Sequence, residues 1–573
     1  MNKYPLKYFK KNRTFAVLIK TRMEIVCVNK GSIKKEYPHG TRLSEMAKNL
    51  GIELLYPVVG AKVNNKVKSL NYRVYANKVV EFFDVSNVSG EAMYNRSLNF
   101  LLYKAVKDIY PNEDIVIKHS ISGGRYCEFE NSDFQIDDTI VANIEKRMRE
   151  LVEKDVPFVR KTVLTQEAIN LYNAKGMYDK EKLLKQRNIF YTSVYSIEDT
   201  INYFFGCLVP STGHLTHFGL TKYETGILLR IPSRHVPDRL STVHKSPKLF
   251  NVFKEHKEWS QIMEVPYAGD LAEMVKSGGG KNLVLVSEAL QEKKMVKIAD
   301  EIASRKEVKM ILISGPSSSG KTTSCRRLSV QLGVLGYHPV QISADNYFVE
   351  REHTPKDENG NYDFEHIQAL DLELLNNQLT DLLSGKEIKT PVFDFQVGKK
   401  VWTDNTLKLG KKSIIIMEGI HCLNPLLTKS VDESLTYKVF VSALTSLAMD
   451  KHNPIHSNDN RLIRRIVRDN NFRGYSARES LQRWSSVRKG EERWIFPFQE
   501  NADIMFNSAM LCELSLFKKH AVPLLEQVPE NVEEHTEAMR LLKLFSYFAE
   551  ISEKDVPHFS ILREFFGGSV FEY

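Results

Sequence analysis

The sequence predicts a multidomain chain of α/β and α+β units, with an open parallel sheet in its second half. Three observations carry this. The 573 residues exceed one ordinary domain. From Lys309 onward, strand-like and helix-like patterns alternate, as a parallel sheet with crossover helices requires. Residues 14–85 instead read as short strands around one helix, a compact α+β unit. A hydrophobic content of 42% and a charged content of 26% allow each unit its own core.

In the first unit, Phe15-Ala16-Val17-Leu18-Ile19 and Glu24-Ile25-Val26-Cys27-Val28 read as two strands around a charged turn. Leu43, Met46, Ala47 and Leu50 then recur at helical spacing after Thr41, the expected cap. Residues 58–63 and 79–83 supply further strands. Helices are expected over 92–109, stopped by Pro111, over 138–154 and near 166–185, followed by a β-rich stretch at 216–231. Residues 233–260, rich in Pro, His, Ser and Lys, read as a linker. Residues 262–305 read as mostly helical. The parallel strands are expected at 310–314, 340–343, 413–417, 437–441 and 503–507, with helices over 509–550.

A net charge of +9, spread over 80 basic and 71 acidic residues, suits an anionic ligand such as a nucleotide without requiring nucleic acid. The six cysteines form no C-x-x-C pair, which argues for reduced thiols rather than a zinc ribbon or disulfide scaffold. The first residues carry no apolar signal segment, and no stretch reaches the apolar length of a membrane helix. A cytoplasmic location is therefore expected.

The strongest motif is Gly315-Pro316-Ser317-Ser318-Ser319-Gly320-Lys321-Thr322, a complete phosphate-binding loop. Met310-Ile311-Leu312-Ile313 before it reads as a buried strand. Cys325, Leu328, Leu332 and Leu335 after it share one helix face. The glycines free the backbone, so that successive N–H groups and the helix N-terminus face an anion. Lys321 is placed to reach the β- and γ-phosphates and Thr322 to ligate Mg²⁺. Asp345 lies past the second strand of this unit, where a carboxylate can take a proton from a substrate hydroxyl or simply cap a turn. Glu418 ends an apolar strand, the position of a second Mg²⁺ element. Arg461, Arg464, Arg465 and Arg468 follow helical spacing, with Arg473 beyond; such a face needs phosphates or acidic neighbours. Phe393 and Phe395 flank Asp394, and either stack a base or fill the core.

These elements, in this order over residues 309–507, resemble the uridine kinase and phosphoribulokinase family. The resemblance implies an ATP- and Mg²⁺-dependent kinase acting on a small-molecule acceptor, a uridine- or cytidine-like nucleoside or a related sugar compound. It implies Asp345, Lys321, Arg465 and Arg468 as catalytic residues. ATP would lie on residues 315–322, Thr323 and Arg473, with Mg²⁺ on Thr322 and Glu418. The acceptor pocket would be formed by Asp345, Phe348, Glu365, Phe393 and Arg465. Phe393 stands where uridine kinases usually carry Tyr, Gly398 where a histidine is usual, and Tyr475 where a second lid arginine is usual.

The N-terminal region resembles the front of threonyl-tRNA synthetases. Tyr37-Pro38-His39-Gly40-Thr41 and Gly60-Ala61-Lys62-Val63-Asn64 are similar to its TGS domain, a β-grasp fold, and residues 92–232 to its α+β editing domain. That site's H-x-x-x-H pair is matched here by Arg96 and Phe100, and its later cysteine and histidine by Phe204 and Leu208, so no hydrolysis is expected. The resulting division is 14–85 TGS-like, 86–245 editing-like, 246–305 helical linker, 306–508 kinase-like with its P-loop and parallel sheet, and 509–573 a C-terminal helical extension. RNA, tRNA or a small effector are the ligands open to the N-terminal half, and a homo-oligomer is open too. The second functional reading is an ATP-switched RNA-binding regulator. A P-loop GTPase ranks low because no N-K-x-D motif follows the later strands.

Overall fold

The computed structural model describes residues 22–572, apart from Asn131, Ser132, Asn359, Phe395 and Gln396. The strand expected at 15–19 and Phe395 therefore lie outside the described residues. The first unit is a five-stranded mixed sheet crossed by one helix, Leu43–Asn49. Its first hairpin pairs Arg22–Cys27 with Ile33–Pro38. The second of these strands escaped the sequence pattern because only Tyr37 along it is buried. Thr41 is not the helix cap: its hydroxyl donates to the Pro38 carbonyl at 2.7 Å, and Arg42 occupies the cap position.

The next unit is built on the long helix Val88–Ile109, started by Asn87, whose side chain accepts from the Ser89 N–H. A four-stranded antiparallel sheet packs with it, and a separate three-stranded sheet carries Val159–Leu164 on its edge. The single helical stretch expected near 166–185 is two helices, Thr165–Ala174 and Tyr178–Lys185, broken at Gly176 with φ +70°. The segment 233–260 is structured: a short hairpin of Pro232–Ser233 with Val236–Leu240 precedes the helix Pro247–Ile262. Pro247 sits in its first turn, where a missing N–H costs nothing, so the punctuation that looked like a linker is a helix start.

The parallel sheet comprises His338–Ser343, Ser413–Glu418, Met310–Ser314, Thr436–Ser442 and Ile504–Asn507, in that spatial order. In chain order the strands run 2-3-1-4-5, every neighbouring pair parallel. Alternate residues serve two cores, as the pleat dictates. Ile311, Ile313, Ile414 and Ile416 face a core shared with the helices Gly280–Ser304, Lys321–Val334 and Glu513–Glu526. Met310, Leu312, Ile415 and Met417 face the opposite side, with the helix Leu372–Leu383. The helices of 246–305 and of 509–566 thus contribute to the same core as the sheet.

A turn of the kinase-like half is locked into the N-terminal half. Lys180, fully buried, donates to Asp179 at 3.2 Å, Asp450 at 3.3 Å and His452 Nδ1 at 3.1 Å. His452 Nε2 lies 3.1 Å from the Ile115 carbonyl, so Nε2 carries the proton and Nδ1 accepts. The Ile117 N–H donates to the Lys451 carbonyl at 2.8 Å. Removing one partner of such a network strands a buried charge. Lys180→Met is expected to lower stability by about 3 kcal/mol in urea denaturation, with partial recovery in Lys180→Met/Asp450→Leu; an unchanged midpoint in the single variant would contradict this.

Candidate phosphate-binding site

The loop 315–322 joins the central strand Met310–Ser314 to the helix Lys321–Val334. Gly315 is obligatory: a Cβ there would lie 1.9 Å from the Val441 carbonyl oxygen. Ser318 and Gly320 take left-handed angles, φ +59° and +84°, the kind of backbone that lets successive N–H groups face an anion. Lys321 Nζ folds back to the carbonyls of Gly315 at 2.9 Å and Pro316 at 3.2 Å.

Residues far away in sequence hold this loop. The arginine helix Ser457–Arg473 lies beside it. Arg461, 1% exposed, makes a two-point ion pair with Glu491 and donates to the Ser317 carbonyl at 3.1 Å. Glu491 also accepts the Ser317 N–H at 3.0 Å. Arg464, fully buried, pairs at two points with Glu513 and donates to the Ser318 carbonyl at 3.3 Å. These two arginines are therefore neutralised by acidic neighbours, one of the two outcomes open to that face, although the partners are Glu491 and Glu513. Arg465, Arg468 and Arg473 share a single carboxylate, Asp469, at 3.2, 2.7 and 3.7 Å. Three guanidiniums against one carboxylate leave positive charge for an anion, and Arg465 also reaches the Ser317 hydroxyl at 3.0 Å.

The acidic candidates gather at the same sheet edge. Asp345 lies in the 3₁₀ turn Ala344–Tyr347, directly after the strand His338–Ser343. Burial raises its carboxyl above the usual range, and the charges of Lys321 and Arg473 oppose that rise. Glu418 stands opposite Ser343 in register and accepts its hydroxyl at 3.3 Å. Its carboxyl is pushed up to about 7 by burial, and further by Asp345 and Glu564. Glu365 is likewise pushed up to about 7, by burial and then by Glu491, against Arg465 and Lys321. Gly490 leaves room for it: a Cβ there would meet Glu365 Cβ at 2.3 Å. Phe348 and Phe393 are 8% and 9% exposed, with ring centroids 5.6 Å apart, so both are largely core side chains.

Glu564 gave no sequence signal. It comes from the C-terminal segment, whose Ile561, Leu562 and Phe565 are fully buried, and accepts the Thr323 hydroxyl at 2.6 Å and N–H at 3.2 Å. Hydroxyl and carboxylate oxygens from Thr322 and Glu418 are the hard donors Mg²⁺ prefers, and the raised carboxyl of Glu418 is what a cation would relieve. Among the described residues, the one preformed three-ligand group is Glu350, Glu352 and His353, and it contains neither Thr322 nor Glu418. One carboxylate and one hydroxyl suit an ion that takes further ligands from phosphates.

In the N-terminal half, the four positions matched to editing ligands do converge. Arg96 donates to the Cys207 carbonyl at 3.1 and 3.0 Å, Phe100 and Phe204 pack at 5.2 Å, and Leu208 is 2% exposed. His119 stacks on Phe253 at 3.5 Å, while His214 and His217 contact Ser211 and Thr216.

The phosphate loop at the carboxyl end of a 2-3-1-4-5 parallel sheet defines a P-loop nucleotide-binding fold. Residues 310–514 match the model of the Phosphoribulokinase / Uridine kinase family. A uridine kinase from Ligilactobacillus salivarius (strain UCC118) is 32% identical over 206 residues, covering 36% of this chain and 87% of that protein. One from Bacillus subtilis (strain 168) is 29% identical over 197 residues, covering 34% and 84%. The chain belongs to this family, and family membership makes it a kinase and implies use of ATP and Mg²⁺. The N-terminal region is similar to a threonine–tRNA ligase of Polaromonas sp. (strain JS666 / ATCC BAA-500), 29% identical over 198 residues, 33% of this chain and 30% of the ligase. Among the described residues, no helix is long and apolar enough to cross a membrane.

The raised carboxyls have a consequence for pH. The folded chain holds the protons of Glu365 and Glu418 more tightly than the unfolded chain, whose glutamates titrate near 4.5. Their contribution to stability is complete below that value and is lost as pH rises toward 7. Glu418→Gln is expected to flatten the stability profile between pH 5 and 7.5 by about 1 kcal/mol or more, measured by urea denaturation without Mg²⁺. Parallel profiles for the two proteins would contradict it.

Proposed function

We propose that this chain transfers the γ-phosphate of ATP to a sugar hydroxyl of a uridine- or cytidine-like nucleoside, or of a related sugar-containing small molecule. The observation that carries this reading is the convergence of Asp345, Glu418, Lys321 and the Asp469-linked arginines on one phosphate loop. In this reading the backbone of residues 315–323 cradles the phosphates, with Lys321 against the transferred group. Thr322 and Glu418 hold Mg²⁺, which supplies charge neutralisation at the phosphates. Asp345 orients the acceptor hydroxyl and takes its proton; its raised carboxyl makes it a stronger base than a solvated aspartate. Arg465, Arg468 and Arg473 offset the charge spread over the transferred phosphoryl oxygens. Glu365 meets the sugar, while Phe348 and Phe393 form the apolar floor of the acceptor pocket. The departures at Phe393, Gly398 and Tyr475 fall around the base and lid, so the acceptor's base is where this chain would differ from a uridine kinase.

Glu564 enters this reading as a competitor. Its carboxylate satisfies the Thr323 N–H and hydroxyl that a phosphate would take, so ATP must displace it. The N-terminal units are read as a TGS-like domain over 14–85 and an editing-like domain over 86–245. The latter is read as lacking hydrolytic ligands, because an arginine, two phenylalanines and a leucine stand at their positions, Arg96, Phe100, Phe204 and Leu208.

Coupled ATP-turnover assays across a nucleoside and sugar panel test the reaction. At least one acceptor is expected to raise turnover above the acceptor-free rate, and Asp345→Asn to remove at least 100-fold of that stimulation, on the order of a general base's contribution. No stimulation by any acceptor, or full stimulation in Asp345→Asn, would contradict the assignment. Glu564→Gln is expected to tighten ATP binding about tenfold, the scale of one charged hydrogen bond, in nucleotide titrations; equal or weaker affinity would exclude competition.

A further inference from the structure

Five cationic side chains surround the loop 204–207, where the synthetase-like half meets the C-terminal helices. Arg96 comes from the helix Val88–Ile109 and donates to the Cys207 carbonyl. Lys543 comes from the helix His535–Phe545, donates to the Phe205 carbonyl and sits 4.8 Å over the Phe205 ring. Arg187 donates to the Ser546 hydroxyl at 3.2 Å and lies 4.6 Å over the Tyr547 ring. Arg160, on the edge strand Val159–Leu164, donates to the Ser193 hydroxyl at 2.9 Å. Lys68, from Lys66–Ser69, lies 4.9 Å over the Tyr72 ring, and the Cys207 thiol beside it faces the Val67 carbonyl at 3.9 Å.

Among the described residues, none of these five is ion-paired; every recorded partner is a carbonyl, a hydroxyl or a ring. Several cations elsewhere in the chain are answered with carboxylates: Arg461 with Glu491, Arg464 with Glu513, Lys180 with Asp450, and Arg540 with Asp459 and Glu537. The mutual repulsion is felt. Lys543 is pushed down to about 7 by burial, by Arg187 and by Arg96 and Arg160, against the Cys207 thiol. Lys68 is lowered too, by burial, Arg160 and its neighbouring lysines. Like charges gathered without counter-ions repel one another, and a bound anion would relieve that repulsion.

We propose that this junction is a binding site for a phosphate-bearing small molecule, distinct from the phosphate loop. Guanidinium and ammonium groups from five separate segments of the chain come together here, which suits a compact multivalent oxyanion. A nucleic-acid backbone would need an exposed basic track, and of the five only Arg160 is exposed. The helix bearing Lys543 also carries Arg540, which grips Asp459 in the first turn of the arginine helix at 2.8 and 2.7 Å. Occupancy of the site would therefore be felt at the helix that braces the phosphate loop.

The test uses the full chain carrying Lys321→Ala, so that the phosphate loop is weakened and a second site is read alone. Isothermal titration with inorganic pyrophosphate, a nucleoside monophosphate, a sugar monophosphate and a short single-stranded RNA separates the sources of the phosphate. At least one of the three compact phosphates is expected to bind at one site per chain. Adding Arg187→Gln, or Arg160→Gln on the exposed strand where folding is not at stake, is expected to weaken it at least tenfold, while Lys222→Gln leaves it unchanged. No binding of any compact phosphate, binding of RNA alone, or affinities unaltered by both arginine variants would overturn the proposal. The result is independent of the acceptor assay, because it does not require turnover.

Discussion

Two buried guanidinium–carboxylate pairs hold the site together. Arg461–Glu491 and Arg464–Glu513 each take two charges out of water, which is worthwhile only when geometry and extra hydrogen bonds are complete. Here they are: Arg461 and Arg464 also donate to the carbonyls of Ser317 and Ser318, and Arg464 reaches Ser508. The phosphate loop has left-handed backbone at Ser318 and Gly320 and few partners of its own, so its shape depends on these outside donors. Charge that looks surplus in the sequence is thereby spent on rigidity, and the remaining arginines, with Asp469 as their one shared carboxylate, are left to meet an anion.

The same constraint unites the chain. Glu491 and Glu513 lie on helices whose apolar faces join the core of the parallel sheet, as does the long helix Gly280–Ser304. Arg327 on the loop's own helix is buried against Glu288 and Glu292 of that long helix. The C-terminal segment closes the set, with Ile561 packed against Gly320 and Glu564 on Thr323. At the other end, the turn around Asp450 and His452 is held by Lys180 and Asn202 of the synthetase-like half. The kinase-like and synthetase-like halves thus share a buried polar seam.

What was legible in the sequence was local. The phosphate loop, the apolar strand before it and the helix after it announce themselves within a dozen residues, and Asp345 and Glu418 follow as strand-end carboxylates. The inner parallel strands were legible because both faces are buried, which makes Met310–Ser314 and Ser413–Glu418 near-continuous apolar runs. The exposed strand Ile33–Pro38 and the hairpin Ile388–Asp394 with Lys399–Leu407 lacked that signal. Glu491, Glu513 and Glu564 were invisible for a different reason. Each is an ordinary glutamate on a helix, and its meaning arises only when folding brings it to a loop residue or arginine far along the chain. The cation cluster around Cys207 was illegible for the same reason, since its members come from five regions of the chain.

The fate of the γ-phosphate tests the central claim most directly. With γ-labelled ATP, Mg²⁺ and a pool of nucleosides and sugars, the account predicts that label leaves ATP for an organic phosphate ester of one pool member. Label found only in inorganic phosphate, or only on the protein, would contradict it.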